Sequence, residues 1–234
     1  MTFKYLKGVV AGSLLLASGL AHAQFSSTVT ATNDYDFRGY SQSAKDPALQ
    51  VSADYAFSNG FAIGAWASNV DFEGVDDSAD IEVDLYANYT GEISETTSWT
   101  AGVVYYLYPG ADATGEYPEF FVGLNTGPFA LKQWFADDLY ESGESAYYTE
   151  INATFELPQN FSLLAHAGYS HGDYWSDVNG DDVFDYSLGI GYTLGNFNLA
   201  LKYTATDDED VTEDVFNNEG RVVFSVATTF PWGD

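Results

Sequence analysis

The stretch IEVDLYANY, residues 81–89, decides how this chain is expected to fold. Apolar side chains occupy its odd positions, whereas Glu82, Asp84 and Asn88 stand at even positions and Asp80 precedes the stretch. Because successive side chains of a β-strand point to opposite faces, the stretch predicts a strand with one apolar and one acidic face. Solvated sheets and membrane barrels both contain such strands, so other parts of the sequence must decide whether the apolar face meets a protein core or lipid.

The first 23 residues have the composition of an export signal. Lys4 and Lys7 precede an apolar run from Val9 to Leu20, and a small-x-small cleavage site follows at residues 21–23. A segment of this kind is too short to span a membrane and is removed during export. We therefore expect a cleaved signal peptide at residues 1–23 and a mature chain that begins at Gln24.

The composition excludes several classes of protein. The sequence has 35 acidic and only 7 basic residues, 18 Tyr, 17 Phe and no Cys. Nucleic acid is excluded as a partner because its binding needs a basic surface. The absence of cysteine excludes a disulfide framework, and the aromatic content excludes a disordered chain. The remaining classes are a soluble β-sandwich or barrel and an outer-membrane β-barrel.

Segments with a period of two recur from end to end and predict twelve strands. Short links with Gly, Pro or Asn follow the even-numbered segments, and longer, often acidic stretches follow the odd-numbered ones. This alternation is typical of outer-membrane barrels, which have short periplasmic turns and long extracellular loops. We therefore predict an all-β fold, a transmembrane antiparallel up-and-down β-barrel of about twelve strands, as one domain over residues 24–234. The predicted strands are 25–38, 48–57, 61–72, 79–90, 97–108, 117–126, 129–136, 146–157, 161–171, 183–194, 197–206 and 220–230.

The charged residues inside these segments lie on the face opposite the apolar residues. A Lys or Arg on the lipid face would cost about 2–4 kcal/mol at the middle of the bilayer, so a lipid boundary enforces this segregation. Aromatic residues also gather at the turn ends of the apolar faces, as in the girdles of membrane barrels, although a sandwich core rich in aromatics would look similar. The predicted pore-lining residues are Asp34, Asp36, Arg38, Asp54, Asp80, Glu82, Asp84, Glu119, Lys132, Glu150, Glu156, Asp185, Lys202 and Arg221.

Several segments carry a family resemblance that covers essentially the whole mature chain. They are DYDFRGYSQSAKDPALQVSADYAF (34–57), WASNVDF (66–72), VDLYANYTG (83–91), YYLYPG (105–110) and FVGLN (121–125). With these segments the chain resembles the TorF-type porin family, a proteobacterial outer-membrane family without an assigned function. The resemblance implies a single outer-membrane barrel with a channel role, and it implies no particular solute.

The acidic lumen predicts a channel with a charge preference. Rings of Asp and Glu favour cations, so a porin of this kind is expected to pass small cationic or neutral solutes by diffusion. Inward-pointing basic residues suggest ion pairs around the lumen, because a buried charge needs a partner. The alternative is a plugged barrel with no significant conductance, in which paired charges fill the bore and the long loops bind surface partners.

The first long loop, FRGYSQSAKDP at residues 37–47, has two possible roles. Its polar residues Arg38, Gln42, Lys45 and Asp46 could fold inward as a constriction or contact a solute. In the other reading, Gly39 and Pro47 only shape the loop while Arg38 pairs with a lumen acid. The local sequence does not choose between these two roles.

The loop sequence DVNGDD contains a partial calcium motif. Asp177, Asn179 and Asp181 have the spacing that opens an EF-hand loop, but Leu188 stands where that loop requires Glu. A solvated acidic loop is therefore favoured over a calcium site.

The sequence predicts a protein that is not an enzyme and has no cofactor. His166 and His171 are the histidines of the mature chain, and no serine or carboxylate stands at a motif spacing that would make either one a catalytic base. The expected location is the outer membrane. The expected partners are outer-membrane lipid, lipopolysaccharide and small solutes, and the sequence does not define an oligomeric state.

Overall fold

The computed structural model describes residues 24–72, 79–111, 115–207 and 219–232, and the predicted signal peptide lies outside them. Within these ranges, twelve long strands form one closed antiparallel barrel. A small hairpin of two strands with two residues each lies inside the first loop. The predicted fold class and number of strands are confirmed. The barrel strands are β1 Gln24–Thr32, β4 Ala48–Ala56, β5 Phe61–Asn69, β6 Ile81–Ser94, β7 Thr97–Leu107, β8 Tyr117–Thr126, β9 Phe129–Ala136, β10 Ala146–Glu156, β11 Phe161–His171, β12 Val183–Leu194, β13 Phe197–Thr206 and β14 Arg221–Phe230; the hairpin strands are β2 Asp36–Phe37 and β3 Tyr40–Ser41.

The barrel closes where its first strand meets its last. β1 pairs with β14 from Ser27 opposite Phe230 to Thr32 opposite Ser225, and its other edge pairs with β4. Each barrel strand therefore has a hydrogen-bonded neighbour on both sides. A closed sheet satisfies its own backbone donors and acceptors, which lipid requires of any spanning structure.

The two faces of the wall have opposite polarity. Leu85, Val122 and Leu188 expose 49%, 58% and 58% of their surface on the outside, whereas Glu119 and Asp185 are buried on the inside. Alternation of side chains along each strand produces this division. An exposed apolar band around a closed barrel is the surface expected in contact with lipid.

Aromatic side chains ring the turn end of the outer face. Phe61 packs on Tyr89 with ring centroids 4.9 Å apart, and Phe161 packs on Tyr192 at 4.8 Å. The tail after β14 joins this ring, because Trp232 stacks on Phe230 at 5.0 Å. Amphipathic rings favour the boundary between lipid and water.

The connections between strands contain three short helical turns among the described residues. They comprise Leu139–Glu141, Pro158–Asn160 and Tyr174–Asn179. In the part of the chain that the structure describes, no helix has both the length and the apolar character to cross a membrane.

The first strand is shorter than predicted. β1 ends at Thr32, and Asn33 completes the pairing with β14 by donating its backbone N–H to the carbonyl of Phe224 at 3.1 Å. From Asp34 onward the chain leaves the wall and enters the barrel. The alternation of residues 34–38, which predicted a continued strand, belongs instead to the turn and hairpin inside the lumen.

The fourth predicted strand, 79–90, is displaced toward the turn. β6 begins at Ile81 and continues to Ser94. Asp80 therefore lies before the strand, where it is exposed. A change of register between Glu92 and Ser94 ends the strict alternation there. The sequence pattern fades at this end because the side chains of the barrel mouth face water on both sides.

A charge on the outer face is expected to destabilise the barrel according to its depth. Leu188→Arg, in the middle of β12, should lower the free energy of unfolding by about 2–4 kcal/mol, whereas the equally exposed Leu194→Arg at the turn end should lower it by about 0–1 kcal/mol. Denaturant unfolding in lipid vesicles, followed by tryptophan fluorescence, measures both values. Equal losses for the two variants would contradict a lipid boundary around this face.

Candidate functional site

The lumen collects most of the charged residues that the sequence predicts to line it. Three of them, Asp34, Asp36 and Arg38, lie in the first loop and not on the wall, and Asp80 lies before β6 at the exposed loop end. The others stand on the inner parity of their strands: Asp54, Glu82, Asp84, Glu119, Lys132, Glu150, Glu156, Asp185, Lys202 and Arg221.

The first loop, residues 33–47, folds into the barrel. Tyr35, Gln42 and Ser43 are buried there, whereas Lys45 and Asp46 face water. The hairpin turn places Gly39 against β12 and β13, since a Cβ on Gly39 would lie 3.0 Å from the Cβ of Asp185 and 3.1 Å from that of Thr206. Only glycine allows this approach at a φ of 88°.

Arg38 joins the loop to β8 through a bidentate ion pair. Its Nη1 and Nη2 donate to the two carboxylate oxygens of Glu119 at 3.0 and 2.6 Å, and the hydroxyl of Tyr106 donates to the same carboxylate at 2.9 Å. The guanidinium also lies 4.2 Å from the ring centroid of Tyr148. Planar pairing and stacking of this kind suit Arg and compensate the burial of both charges.

Arg221 joins the loop to β14. Here the barrel wall supplies the cation and the loop supplies the carboxylates, the reverse of the Arg38–Glu119 pair. Its Nε donates to Asp34, while Nη2 donates to Asp36 and Nη1 to the carbonyl of Gly39, both at 2.7 Å. The hydroxyl of Thr204 on β13 also donates to Asp36, at 3.2 Å. The loop is therefore held at both ends of its hairpin by charge-assisted hydrogen bonds.

His166, for which the sequence offers no catalytic partner, lies on the inner face of β11. Its Nε2 lies 2.8 Å from Asp185 and its Nδ1 lies 2.8 Å from the side-chain oxygen of Asn152. Asn152 in turn donates to Glu150 at 2.7 Å, which fixes its amide orientation. Both ring nitrogens face oxygen acceptors, an arrangement that the protonated imidazolium satisfies. In the sequence, His166 stands on the face of β11 opposite Phe161 and Leu163, and this alternation indicates an inward side chain.

Glu82 and Asp84 form the acidic row of β6. Tyr35 of the loop donates to Glu82 at 3.2 Å, and Asp84 Oδ1 is a buried atom without a hydrogen-bond partner among the described residues. No described Lys or Arg forms an ion pair with either carboxylate. This row therefore presents two neighbouring carboxyl groups on the inner wall without a described basic partner.

The inward-pointing basic residues differ in their partners. Arg38 and Arg221 form the expected ion pairs, whereas Lys132 and Lys202 form none within the described ranges. Lys45 pairs with Glu219 at 3.0 Å on the exposed side of the loops. The sequence therefore predicted ion pairing correctly for the arginines and not for the lumen lysines.

The turn half of the lumen is lined by small polar groups. A recess there is bordered by Thr154, Glu156, Ser162, Thr193, Asn198 and Ser225, together with apolar residues such as Leu164 and Leu199. The loop half, by contrast, is packed with buried rings, such as Tyr117 stacked on Tyr106 at 4.8 Å. The loop half of the lumen is thus more densely filled with side chains than the recess at the turn end.

The calcium motif lies at the exposed loop end. Asp177 and Asp181 are exposed, and the side chain of Asn179 lies outside the described residues. Among the described residues, no three His, Cys, Asp or Glu side chains form a group suited to a metal ion. The solvated acidic loop stays the prediction of the sequence here, with calcium binding as its alternative.

Removal of the Arg38 side chain is expected to destabilise the barrel through the carboxylate that it leaves behind. Arg38→Met should lower the free energy of unfolding by about 3–5 kcal/mol, because Glu119 would then be buried and unpaired. Adding Glu119→Gln to this variant should restore part of the loss. Denaturant unfolding of the two single variants and the double variant measures the coupling.

Lys45→Met is the control for loss of a basic residue from the same loop. Its exposed pair with Glu219 should contribute less than about 1 kcal/mol. A double variant no more stable than Arg38→Met would contradict the role assigned to the Arg38–Glu119 pair.

Comparisons with known proteins agree with a porin-like barrel. The NanC porin structure superposes with a TM-score of 0.60 at 10% identity, covering 89% of this chain and 100% of that chain. The KdgM porin gives 0.53 at 9% identity, covering 89% and 99%, and the KdgM porin in complex with disordered oligogalacturonate gives 0.51 at 10%, with the same coverage. These likenesses are of fold.

The sequence itself identifies the family. A comparison with curated proteins finds no match. Residues 17–230 match the model of a family described as bacterial protein of unknown function, Gcw_chp. This match spans nearly the whole chain, and the chain therefore belongs to the Gcw_chp family.

Proposed function

We propose that this protein is an outer-membrane porin through which small cationic or neutral solutes diffuse passively. The observation that carries the proposal is the reversal of polarity across one closed wall, with exposed aliphatic and aromatic side chains outside and carboxylates inside. A wall of this kind suits lipid on one side and a polar passage on the other. The likeness to the NanC and KdgM porins supports the same class.

The charge preference is argued from the carboxylates that lack a cation. Asp54, Glu82, Asp84 and Glu156 form no ion pair among the described residues, whereas Glu119 and Asp34 are neutralised by arginine. Unpaired carboxylates attract cations into a pore and repel anions. Selectivity then depends on these few acids more than on the total charge of the chain.

The first loop is proposed as the constriction. It crosses the lumen between β8 and β14, and its hairpin packs against β12. A plugged barrel is the second candidate function. The observation that favours it is the density of buried rings at the loop end, where Tyr117 is 1% and Tyr106 is 4% exposed.

The proposed partners outside the lumen follow from the apolar band of the wall and from the acidic loops. Outer-membrane lipid would contact the apolar band, and lipopolysaccharide would meet the acidic loops through bridging divalent cations. Membership of the TorF-type family and the signal peptide at residues 1–23 remain predictions of the sequence.

Conductance separates the porin from the plugged barrel. We expect the refolded, heat-modifiable wild-type barrel to form channels in planar bilayers. Replacing residues 36–45 by a short Gly-Ser linker should raise the single-channel conductance several-fold, because the hairpin, Arg38 and Asp36 no longer occupy the lumen. A silent wild type with a conducting loop variant would support the plugged barrel. If both forms are silent, the channel role is wrong.

The acidic row of β6 is expected to set the ion selectivity. Glu82→Gln combined with Asp84→Asn should lower the ratio of cation to anion permeability, since both carboxylates lack a cationic partner in the described structure. Reversal potentials in a KCl gradient measure the ratio. Glu95→Gln, in the exposed turn after β6, is the matched control and should leave the ratio unchanged. An unchanged ratio in the double variant would show that the row lies off the ion path.

A further inference from the structure

Lys132 on β9 carries an ammonium group that uses none of its three N–H donors on the described part of the protein. Its Nζ lies 5.0 Å from the ring centroid of Phe121 and 4.6 Å from that of Trp134. The side chain is partly buried on the inner parity of the strand. The rings stabilise the positive charge and hold its position, but they leave the N–H groups without acceptors.

The carboxylates that act on Lys132 accept hydrogen bonds from other side chains and form no ion pair with it among the described residues. Glu150 stands directly across from Lys132 in the β9–β10 register, yet its two oxygens accept from Trp134 Nε1 at 2.9 Å and from Asn152 at 2.7 Å. Glu119 accepts from Arg38 and Tyr106. A partly buried ammonium in this position is therefore suited to an acceptor that comes from outside the protein.

The wall is closely packed on the β8 side of Lys132. Gly123 lies opposite Lys132 in the β8–β9 register, and a Cβ there would come within 2.9 Å of Thr100 and 3.6 Å of Lys132 Cγ, so a solute has to approach from the lumen. Toward the turn end, the inner face continues through Asn152 to Thr154, which borders the polar recess. A small polar solute that enters from this end would meet Lys132 before the first loop.

We propose that Lys132 binds the carboxylate of a small zwitterion, a solute with one carboxylate and one ammonium group. This inference rests on the proposed function in that the solute enters the lumen as a neutral species. One lysine supplies donors for one carboxylate. The unpaired carboxylates of the inner wall repel a net anion and attract the ammonium end of the solute.

Three probes of similar size separate the contribution of the carboxylate to binding from that of the ammonium group. They are 4-aminobutyrate, which is a zwitterion, butyrate, which lacks the ammonium, and butylamine, which lacks the carboxylate. Saturation-transfer NMR on the folded barrel in detergent micelles, with empty micelles as a blank, gives a dissociation constant for each. We expect 4-aminobutyrate to bind more tightly than either of the other two. Butylamine binding as tightly as 4-aminobutyrate would overturn the carboxylate site, and equal binding of butyrate would overturn the assignment to zwitterions.

Substitution of the lysine locates the site. Lys132→Met removes the ammonium group, keeps most of the apolar stem and should weaken 4-aminobutyrate binding by at least about tenfold, because a charged hydrogen bond is lost. It should leave butylamine binding unchanged. Lys132→Arg, which keeps the charge, should retain binding. Lys202→Met removes the other unpaired lumen lysine and should retain binding as well. Equal loss in the Lys202 and Lys132 variants would overturn a specific site at Lys132.

The result is independent of conductance. The same preparation is tested in planar bilayers, so the two hypotheses can fail separately. Binding that depends on Lys132 in a silent barrel would uphold the site and reject the porin. Conductance without binding would uphold the porin and reject the site.

Discussion

The pairing of β1 with β14 is the interaction on which the rest of the structure depends. It removes the two edges that an open sheet would present, and it leaves every barrel strand hydrogen bonded on both sides. In lipid, unpaired backbone groups are too costly to tolerate, so closure has to precede any functional property of the wall. Closure also fixes the register, and a slip of one residue would carry Glu82 or Asp185 to the lipid face. The strict alternation of the strands follows from this constraint.

Enclosure makes each inward charge costly, and the first loop supplies much of the compensation. Its Arg38 meets the wall acid Glu119, while its Asp34 and Asp36 meet the wall cation Arg221. The exchange runs in both directions, although the one cation of Arg221 is shared by two carboxylates. Buried pairs of this kind contribute little net stability compared with apolar packing, but breaking one is costly. They therefore define where the loop sits more than how stable the barrel is.

The sequence predicts what is local and leaves out what depends on closure. The number of strands and the face on which each side chain lies can be predicted locally, because the alternation within each segment distinguishes its apolar face from its polar face. The end of β1 at Thr32 was missed because the hairpin of residues 36–41 alternates as a strand does. The partner of Arg38 stands 81 residues away, and only the curvature of the barrel brings Glu119 to it. Trp134 and Tyr148 point inward beside charged residues, but an aromatic side chain suits either face of a membrane strand and so gives no sign of its direction.

The lumen divides its charges into two groups with different consequences. Arg38, Arg221 and their acidic partners are saturated by one another, so a passing solute gains little from them. Asp84 and Lys132 keep unused hydrogen-bonding capacity, and in a conducting barrel they would determine which solutes are retained. An unpaired charge in a partly desolvated wall is a cost to folding that a bound solute offsets. Residues that fold the lumen and residues that select its contents are therefore distinguished by hydrogen-bond saturation, a property that composition and net charge do not contain.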